Sequence, residues 1–323
     1  MYTATESLFI SNFEMKKFII KLVIFLIPVV GFIALWEYGL GKLQNSYKLK
    51  RSQLEAQAPK IEVLVLGGSF SLRGVNPEYF SMKGYNVANV QQSIYYDTRI
   101  ALKYLDKMPS LKVVLIAVSY NSLWWQTENF RDYFYADYWD IKYPTIKWYD
   151  LTRYSKILQY GNGQAINFAF HGFKTNLVAG YSDNGYAYAT KQGKYNLIND
   201  PDAEEAELRY DKYGKQENLY SNITDIRSLM DELTRRHIHG MFFVPPITGI
   251  LSKYLEKGKV RTMDSLLSVL SVEYNTQWFN YQDDPRFSDS DFKNISHLNS
   301  DGATKFSKII NEEILQKYTA LQN

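Results

Sequence analysis

Phe18 to Trp36 is an apolar run interrupted only by Lys21, with Pro28 inside it. At about 1.5 Å of rise per residue a helix over this run reaches roughly 28 Å, close to the hydrocarbon thickness of a bilayer. Lys16, Lys17 and Lys21 precede its centre, and positive charge on that side favours an amino terminus in the cytoplasm. The later Lys48, Lys50 and Arg51 oppose that orientation weakly. A cleaved signal peptide and a buried core helix are the rival readings. Ala34-Leu35-Trp36 places an indole where cleavage requires a small residue, which favours an uncleaved anchor. The expected organisation is a cytoplasmic tail over 1–17, a transmembrane segment over 18–38, a polar juxtamembrane helix or stalk over 39–60, and a folded domain over 61–320. That domain would lie outside the cytoplasmic membrane of a bacterium, with the chain crossing once.

Several classes are excluded by composition. The 323 residues contain no cysteine, which removes disulfide frameworks, thiol nucleophiles and thiolate metal sites. A net charge of +3 provides no concentrated basic face, so no nucleic-acid partner is expected. The sequence has no metal-ligand spacing, phosphate loop or dinucleotide fingerprint, and no cofactor or metal is expected.

Beyond the anchor, short apolar runs alternate with helical spacing. Ile61-Glu62-Val63-Leu64-Val65-Leu66 reads as a buried strand stopped by Gly67-Gly68, and Tyr85 to Ala88 as a second strand. A helix is predicted over Ser93 to Met108, with Ile94, Ile100, Ala101, Tyr104 and Leu105 on one side. Lys112 to Val118, Gly240 to Val244 and Gln277 to Asn280 read as further strands. Helices are predicted over Leu219 to Arg236, Ile250 to Val272 and Ser300 to Tyr318, the last opened by the capping residues Asn299-Ser300-Asp301. Buried strands alternating with helices imply right-handed βαβ units. The expected fold class is therefore α/β, a three-layer α/β/α domain with a mostly parallel sheet. An aromatic-rich insertion interrupts it at about 125–215. Stretches of the insertion such as Tyr133 to Trp139 suit either a satellite core or a carbohydrate-facing surface, since Tyr and Trp offer flat apolar faces with a polar handle.

Reactive groups in open α/β sheets collect at the carboxyl ends of the strands. Two features fall there. Ser69 follows Gly67-Gly68 directly after the first strand, where a sharp turn exposes its hydroxyl and offers its N–H to a developing oxyanion. His297 lies in Asn294-Ile295-Ser296-His297-Leu298-Asn299, just ahead of the last helix, where a neutral imidazole can accept the serine proton. Singly, a Gly-Gly-Ser turn and a loop histidine both have ordinary structural explanations. The other histidines read differently: His237 and His239 flank a strand, and His171 lies inside the aromatic insertion, with a possible touch on substrate.

The pair, in this order and context, resembles the SGNH (GDSL-like) hydrolase superfamily over roughly residues 60 to 120 and 220 to 318. The flavour is that of its membrane-anchored bacterial branch, which includes teichoic-acid D-alanylation proteins and polysaccharide O-acetyltransferase domains. That branch's G-x-S-H motif, followed by a segment ending in Asn-Pro, is met by Gly67-Gly68-Ser69-Phe70 and Arg73-Gly74-Val75-Asn76-Pro77. Asn86, Ala88 and Gln92 meet its N-x-A…Q segment. Asp289 or Asp291, Phe292, His297, Leu298, Asn299 and Gly302 meet the terminal block. The resemblance implies a sheet of the SGNH or flavodoxin-like kind, with Ser69 as nucleophile and His297 as base. Ser69 N–H would supply an oxyanion donor together with Asn121 or Gln92. It also implies transfer of an acyl group, acetyl in the first place, to or from a cell-surface or exported glycan, beside a multi-span membrane O-acyltransferase partner. Three departures matter. Phe70 replaces a histidine, Ser119-Tyr120-Asn121 meets the family's G-x-N only in part, and Asn294 occupies the slot of the triad acid. An asparagine can hold the imidazole by hydrogen bonding but brings no charge to stabilise the imidazolium, and it can select the wrong ring tautomer. Asp291 is the alternative acid, with Asp289 and Asp284 nearby. A catalytically inactive SGNH-like module serving as a binding or scaffold subunit is the alternative implied by the same departures.

Overall fold

The computed structural model describes residues 4–126, 131–144, 146–171, 177–188 and 215–322. The chain divides into two compact units, Met1–Gln44 with Pro144–Leu177, and Asn45–Tyr143 with Val178–Asn323. In the first, α1 spans Ala4–Lys42 as one helix through Pro28. Its apolar stretch within Met15–Lys42 reaches a mean hydropathy of 2.8, with none of that window buried. Among the described residues it is the one helix long and apolar enough to cross a membrane. A second helix of this unit, α6, spans Lys156–His171 and is broken at Gly161. The side chain of His171, singled out above, lies outside the described residues.

The second unit is built on a five-stranded sheet in the order β2-β1-β3-β4-β5. The strands are β1 Val63–Leu66, β2 Gly84–Asn86, β3 Val113–Ala117, β4 His239–Val244 and β5 Trp278–Asn280. Every neighbouring pair is parallel. Helices α2 Ser46–Gln57, α3 Ser69–Gly74, α4 Ile94–Tyr104, α5 Arg131–Tyr138, α7 Gln216–Arg235, α8 Gly249–Tyr254, α9 Lys257–Glu273 and α10 Ser300–Ile310 surround it.

Both sheet faces are covered, which is why the central strands are continuously apolar rather than alternating. Val63, Val65, Val113, Leu115, Ala117 and Phe243 face Ala303, Phe306 and Ile310 of α10. On the opposite face, Gly240 of β4 lies so close to Met230 and Leu233 of α7 that a Cβ there would be 2.3 Å from the Met230 sulfur. The expected α/β/α layering is thus present. The predicted 250–272 helix is two helices, because Leu255 turns extended at φ −68°, ψ 135° and buries against Tyr120, Leu251 and Ile295. The Tyr120 hydroxyl accepts the Glu256 N–H at this break.

The segment expected as a juxtamembrane helix or stalk contains α2, which buries Tyr47, Lys50 and Leu54 within the sheet-bearing unit. Lys50 is fully buried, and its Nζ donates to the carbonyls of Asn86 (2.8 Å), Ala88 (2.5 Å) and Gly185 (2.7 Å). Burial pulls its pKa well below the ordinary amine value. The ammonium form is nevertheless the one that fits, because only it has three N–H donors for three acceptors. In the insertion, Phe134, Tyr135 and Trp139 are buried. Tyr135 stacks on Tyr96 of α4, and the Tyr96 hydroxyl donates to Asp132. This stretch is a satellite core.

Replacing Lys50 by Met would leave three buried carbonyls without donors, at about 1–3 kcal/mol each before relaxation. Urea unfolding of Lys50→Met is therefore expected to show a loss on the order of 3 kcal/mol. A change under about 0.5 kcal/mol, typical of a surface site, would contradict the role assigned to the ammonium.

Candidate active site

In the order 2-1-3-4-5 the connections leave β1 in opposite directions, and a crevice opens at the carboxyl ends of β1 and β3. Gly67 follows β1 at φ +130°, and a Cβ on it would stand 2.8 Å from the Cβ of Ala117 at the end of β3. Only glycine lets the two strand ends approach this closely. The chain then turns at Gly68 into α3, of which Ser69 is the first residue. Ser71 secures the turn by donating its hydroxyl to Leu66 O at 3.0 Å.

His297 comes from the loop between β5 and α10, which several bonds hold. A Phe292–Leu298 bridge and the Lys293 N–H on His297 O (2.7 Å) close its base. Thr248 donates its hydroxyl to Ile295 O at 2.8 Å, while Ile295 packs beside Tyr120 and Leu251. Asn299 caps α10 through the N–H groups of Asp301 and Gly302.

Two residues 228 positions apart meet at this edge. The Ser69 hydroxyl lies 2.8 Å from His297 Nε2. On the far side of the ring, Asn294 Oδ1 is 3.0 Å from Nδ1, with Ser296 Oγ at 2.9 Å. The same Asn294 oxygen accepts the backbone N–H of Ser296 (3.1 Å) and of His297 (2.8 Å). Those two donors fix oxygen, rather than the amide nitrogen, toward the ring. The proton therefore sits on Nδ1, and Nε2 presents a lone pair to the Ser69 O–H. Asparagine selects the tautomer a general base requires. Phe70 lies flat on the imidazole, with ring centres 5.2 Å apart and planes at 18°.

Among the described residues no carboxylate stands against Nδ1. Asp291, the alternative acid, is turned away: its Oδ2 accepts the Ser288 N–H (2.9 Å) and pairs with Lys305 (2.7 Å), closing a capping box at Ser288. Asp284 pairs with Arg286, and Asp289 is exposed. Burial, followed by the positive charges of Arg73 and Lys293, pushes the His297 pKa down to about 4. The imidazole is neutral at neutral pH, and among the described residues the imidazolium has no countercharge.

The cavity in front of the pair measures about 410 Å³, within the range of small-molecule sites. Ser69, His297, Asn121, Gln92, Asp97 and Trp125 are among its lining residues. Asn121 accepts the Ser119 hydroxyl at its Oδ1 (3.0 Å), which leaves its amide N–H groups without a partner among the described residues. Ser69 N–H, at the start of α3, is likewise unpartnered among them. Gln92 differs from the oxyanion expectation. Its Nε2 donates to Asp97 (2.6 Å) and Val87 O (3.4 Å), and its Oε1 takes the Tyr135 hydroxyl (2.8 Å). Both ends of this amide are committed to holding a neighbour.

That neighbour, Asp97, was not anticipated. One carboxyl oxygen accepts Gly67 N–H (2.9 Å) and Gln92 Nε2, while the other has no partner among the described residues, and the residue lines the cavity. Burial raises its pKa to about 7, against the lowering effect of those two donors. The signal was present in the sequence: position 97 falls on the same helical stripe as Ile94, Ile100, Ala101 and Tyr104. A carboxylate on the buried stripe of an amphipathic helix needs a reason to be there.

No protein-family model matches the sequence, and no curated relative matches it. Among solved structures, the chain is similar to a Bacteroides fragilis protein provisionally described as an acylhydrolase. The two share 13% identity, over 85% of this chain and 99% of that one, with a TM-score of 0.41.

A ring NMR titration of His297 should give a midpoint near 4. Asn294→Asp places a negative charge beside Nδ1, which favours the charged ring and should move the midpoint up by about 1–3 units. Because the folded value is depressed below the ordinary 6.5, protonation favours the unfolded chain. This contribution to stability is full above pH 6.5 and is lost as pH falls toward 4. A wild-type midpoint near 6.5, or no upward movement in the variant, would contradict the electrostatics described.

Proposed function

We propose that this chain is a membrane-anchored serine acyl-transfer enzyme of the SGNH type that moves an acyl group, acetyl by the resemblance of its motifs, onto or off an extracytoplasmic glycan. The observation that carries the reading is the Ser69–His297–Asn294 line, a hydroxyl on a bare Nε2 with the ring held from behind, at the edge of a cavity of substrate size. The glycan, the outward placement and a multi-span membrane acyltransferase as donor partner rest on the resemblance of the motifs and on the charges ahead of the anchor.

Ser69 Oγ forms a bond to the acyl carbon as its proton passes to His297 Nε2. Ser69 N–H and the Asn121 amide hold the oxyanion. As the carbon–oxygen bond to the donor breaks, the leaving oxygen takes the proton from His297, and the acyl group is left on Ser69. An acceptor hydroxyl or water then gives its proton to His297 and bonds to that carbon, and as the bond to Ser69 Oγ breaks the serine oxygen takes the proton back from His297. Asp97 lines the cavity with an acceptor oxygen suited to an incoming hydroxyl.

A second reading has its own observation. A ring with a pKa near 4, and with no countercharge among the described residues, is a weak base, which favours a glycan-binding module that turns nothing over. Ser69→Ala in the producing strain decides between them. Loss of acyl groups from the surface glycan, equal to that in a deletion strain, is expected for the enzyme. Unchanged acylation in Ser69→Ala, with loss only on deletion, would establish the binding role.

Asp97→Asn keeps an oxygen for Gly67 N–H but puts an amide where the open carboxyl oxygen stood. With a purified ester donor and a sugar acceptor, it is expected to retain reaction of Ser69 with the donor and to raise KM for the acceptor about tenfold, as for one lost hydrogen bond to a charged group. An unchanged acceptor KM would remove Asp97 from the binding surface.

A further inference from the structure

We propose that residues 146–171 form a second membrane-contacting element, seated in the headgroup region of the leaflet that holds the carboxyl-terminal end of α1. This rests on the reading of α1 as a membrane span. The segment belongs to the same compact unit as α1. Glu37 of α1 caps the start of α6, its carboxylate accepting the Ser155 hydroxyl (2.5 Å) and the N–H groups of Lys156 (2.6 Å) and Ile157 (3.4 Å). Trp36 donates its indole N–H to Ala165 O at 3.2 Å. Trp36 and Glu37 differ by only about 1.5 Å in height along α1, yet they hold points nine residues apart in the segment. The break at Gly161, with φ 72° and ψ 157°, lets the chain bend between them. The segment therefore wraps the end of α1 at a single depth, and that depth is where the apolar run stops.

Its inner side is packed, with Tyr160, Ala165 and Phe168 buried and the Tyr160 and Phe168 rings edge to face at 5.6 Å. The outer side is apolar as well. Trp148 is 76% exposed, Tyr149 65%, Leu151 74%, Tyr154 66%, Leu158 46% and Ile166 45%. Large apolar groups gathered on one surface mark a contact site rather than a solvated face. Continuity with a lipid-exposed helix selects the lipid surface as the occupant. The chemistry agrees: Trp and Tyr concentrate at membrane–water interfaces, where a ring sits among acyl chains and a polar tip stays wet. Lys147, Arg153 and Lys156 add cations beside them, and the Arg153 guanidinium lies over the Tyr154 ring at 5.6 Å.

The natural chain has no cysteine, so single-cysteine variants carry one spin label each. Leu151→Cys, Ile24→Cys in α1 and Val272→Cys, a site 83% exposed on α9, would be prepared in the full chain in phosphatidylethanolamine–phosphatidylglycerol nanodiscs. Power-saturation spectroscopy compares relaxation by oxygen and by a water-soluble nickel chelate. The expected result is an oxygen-to-nickel ratio at Leu151 shifted from the Val272 value toward the Ile24 value and lying between them. A Leu151 ratio equal to that of Val272, with Ile24 in hydrocarbon, overturns the proposal and leaves the anchor standing. A Leu151 label shielded from both reagents overturns it in favour of a protein cover. An Ile24 label in water removes the anchor, and the proposal with it.

Discussion

The close approach of Gly67 to Ala117 sets the geometry on which the site depends. Two parallel strands end side by side, and a side chain as small as a methyl at position 67 would push them apart. With that gap closed, Ser69 starts a helix at the sheet edge, and Asn121 leaves β3 across from it. The loop ahead of α10 then has to bring only one residue, His297, into the same crevice. Its own bonds, from Lys293, Thr248 and Asn299, are made to backbone atoms and so depend little on side-chain identity elsewhere.

Electrostatics sets this site apart from a serine, histidine and carboxylate arrangement. Asn294 performs the positional half of the third residue's work: it fixes the ring and chooses the tautomer. It contributes nothing to the other half, the stabilisation of a charged imidazolium. Arg73 and Lys293 add to that deficit. The carboxyl group that does line the cavity is Asp97, held by Gly67 N–H and raised by burial to about 7. The site thus has a well-oriented but weak base and a separate carboxyl group beside the space for substrate.

Much of the fold was legible because its strands are short, mostly apolar runs, with glycine or proline bounding β1 and β4. Each of the five lay within two residues of its expected position. Ser69 and His297 were legible for a related reason, since strand-end turns and helix-entry loops carry recognisable capping and turn residues. What the sequence hid were effects of packing. Nothing local in Ile250 to Val272 reveals that Tyr120 would interrupt the helix at Glu256. Lys50 looks like one more cation in a charged stretch until three carbonyls converge on it. Gln92 reads as an oxyanion candidate, and only the folded chain shows it holding Asp97. In Asn294 the sequence revealed the missing charge. The tautomer was decided by two backbone N–H groups that no spacing rule predicts.

The central claim is that Ser69 is a nucleophile activated by His297. Exposure of the purified chain to a fluorophosphonate, followed by peptide mass analysis, tests it without knowledge of the natural substrate. The account predicts a single adduct on Ser69, formed by the wild type at neutral pH and nearly abolished in His297→Ala. An unlabelled Ser69, an adduct on another serine, or equal labelling with and without His297 would contradict it.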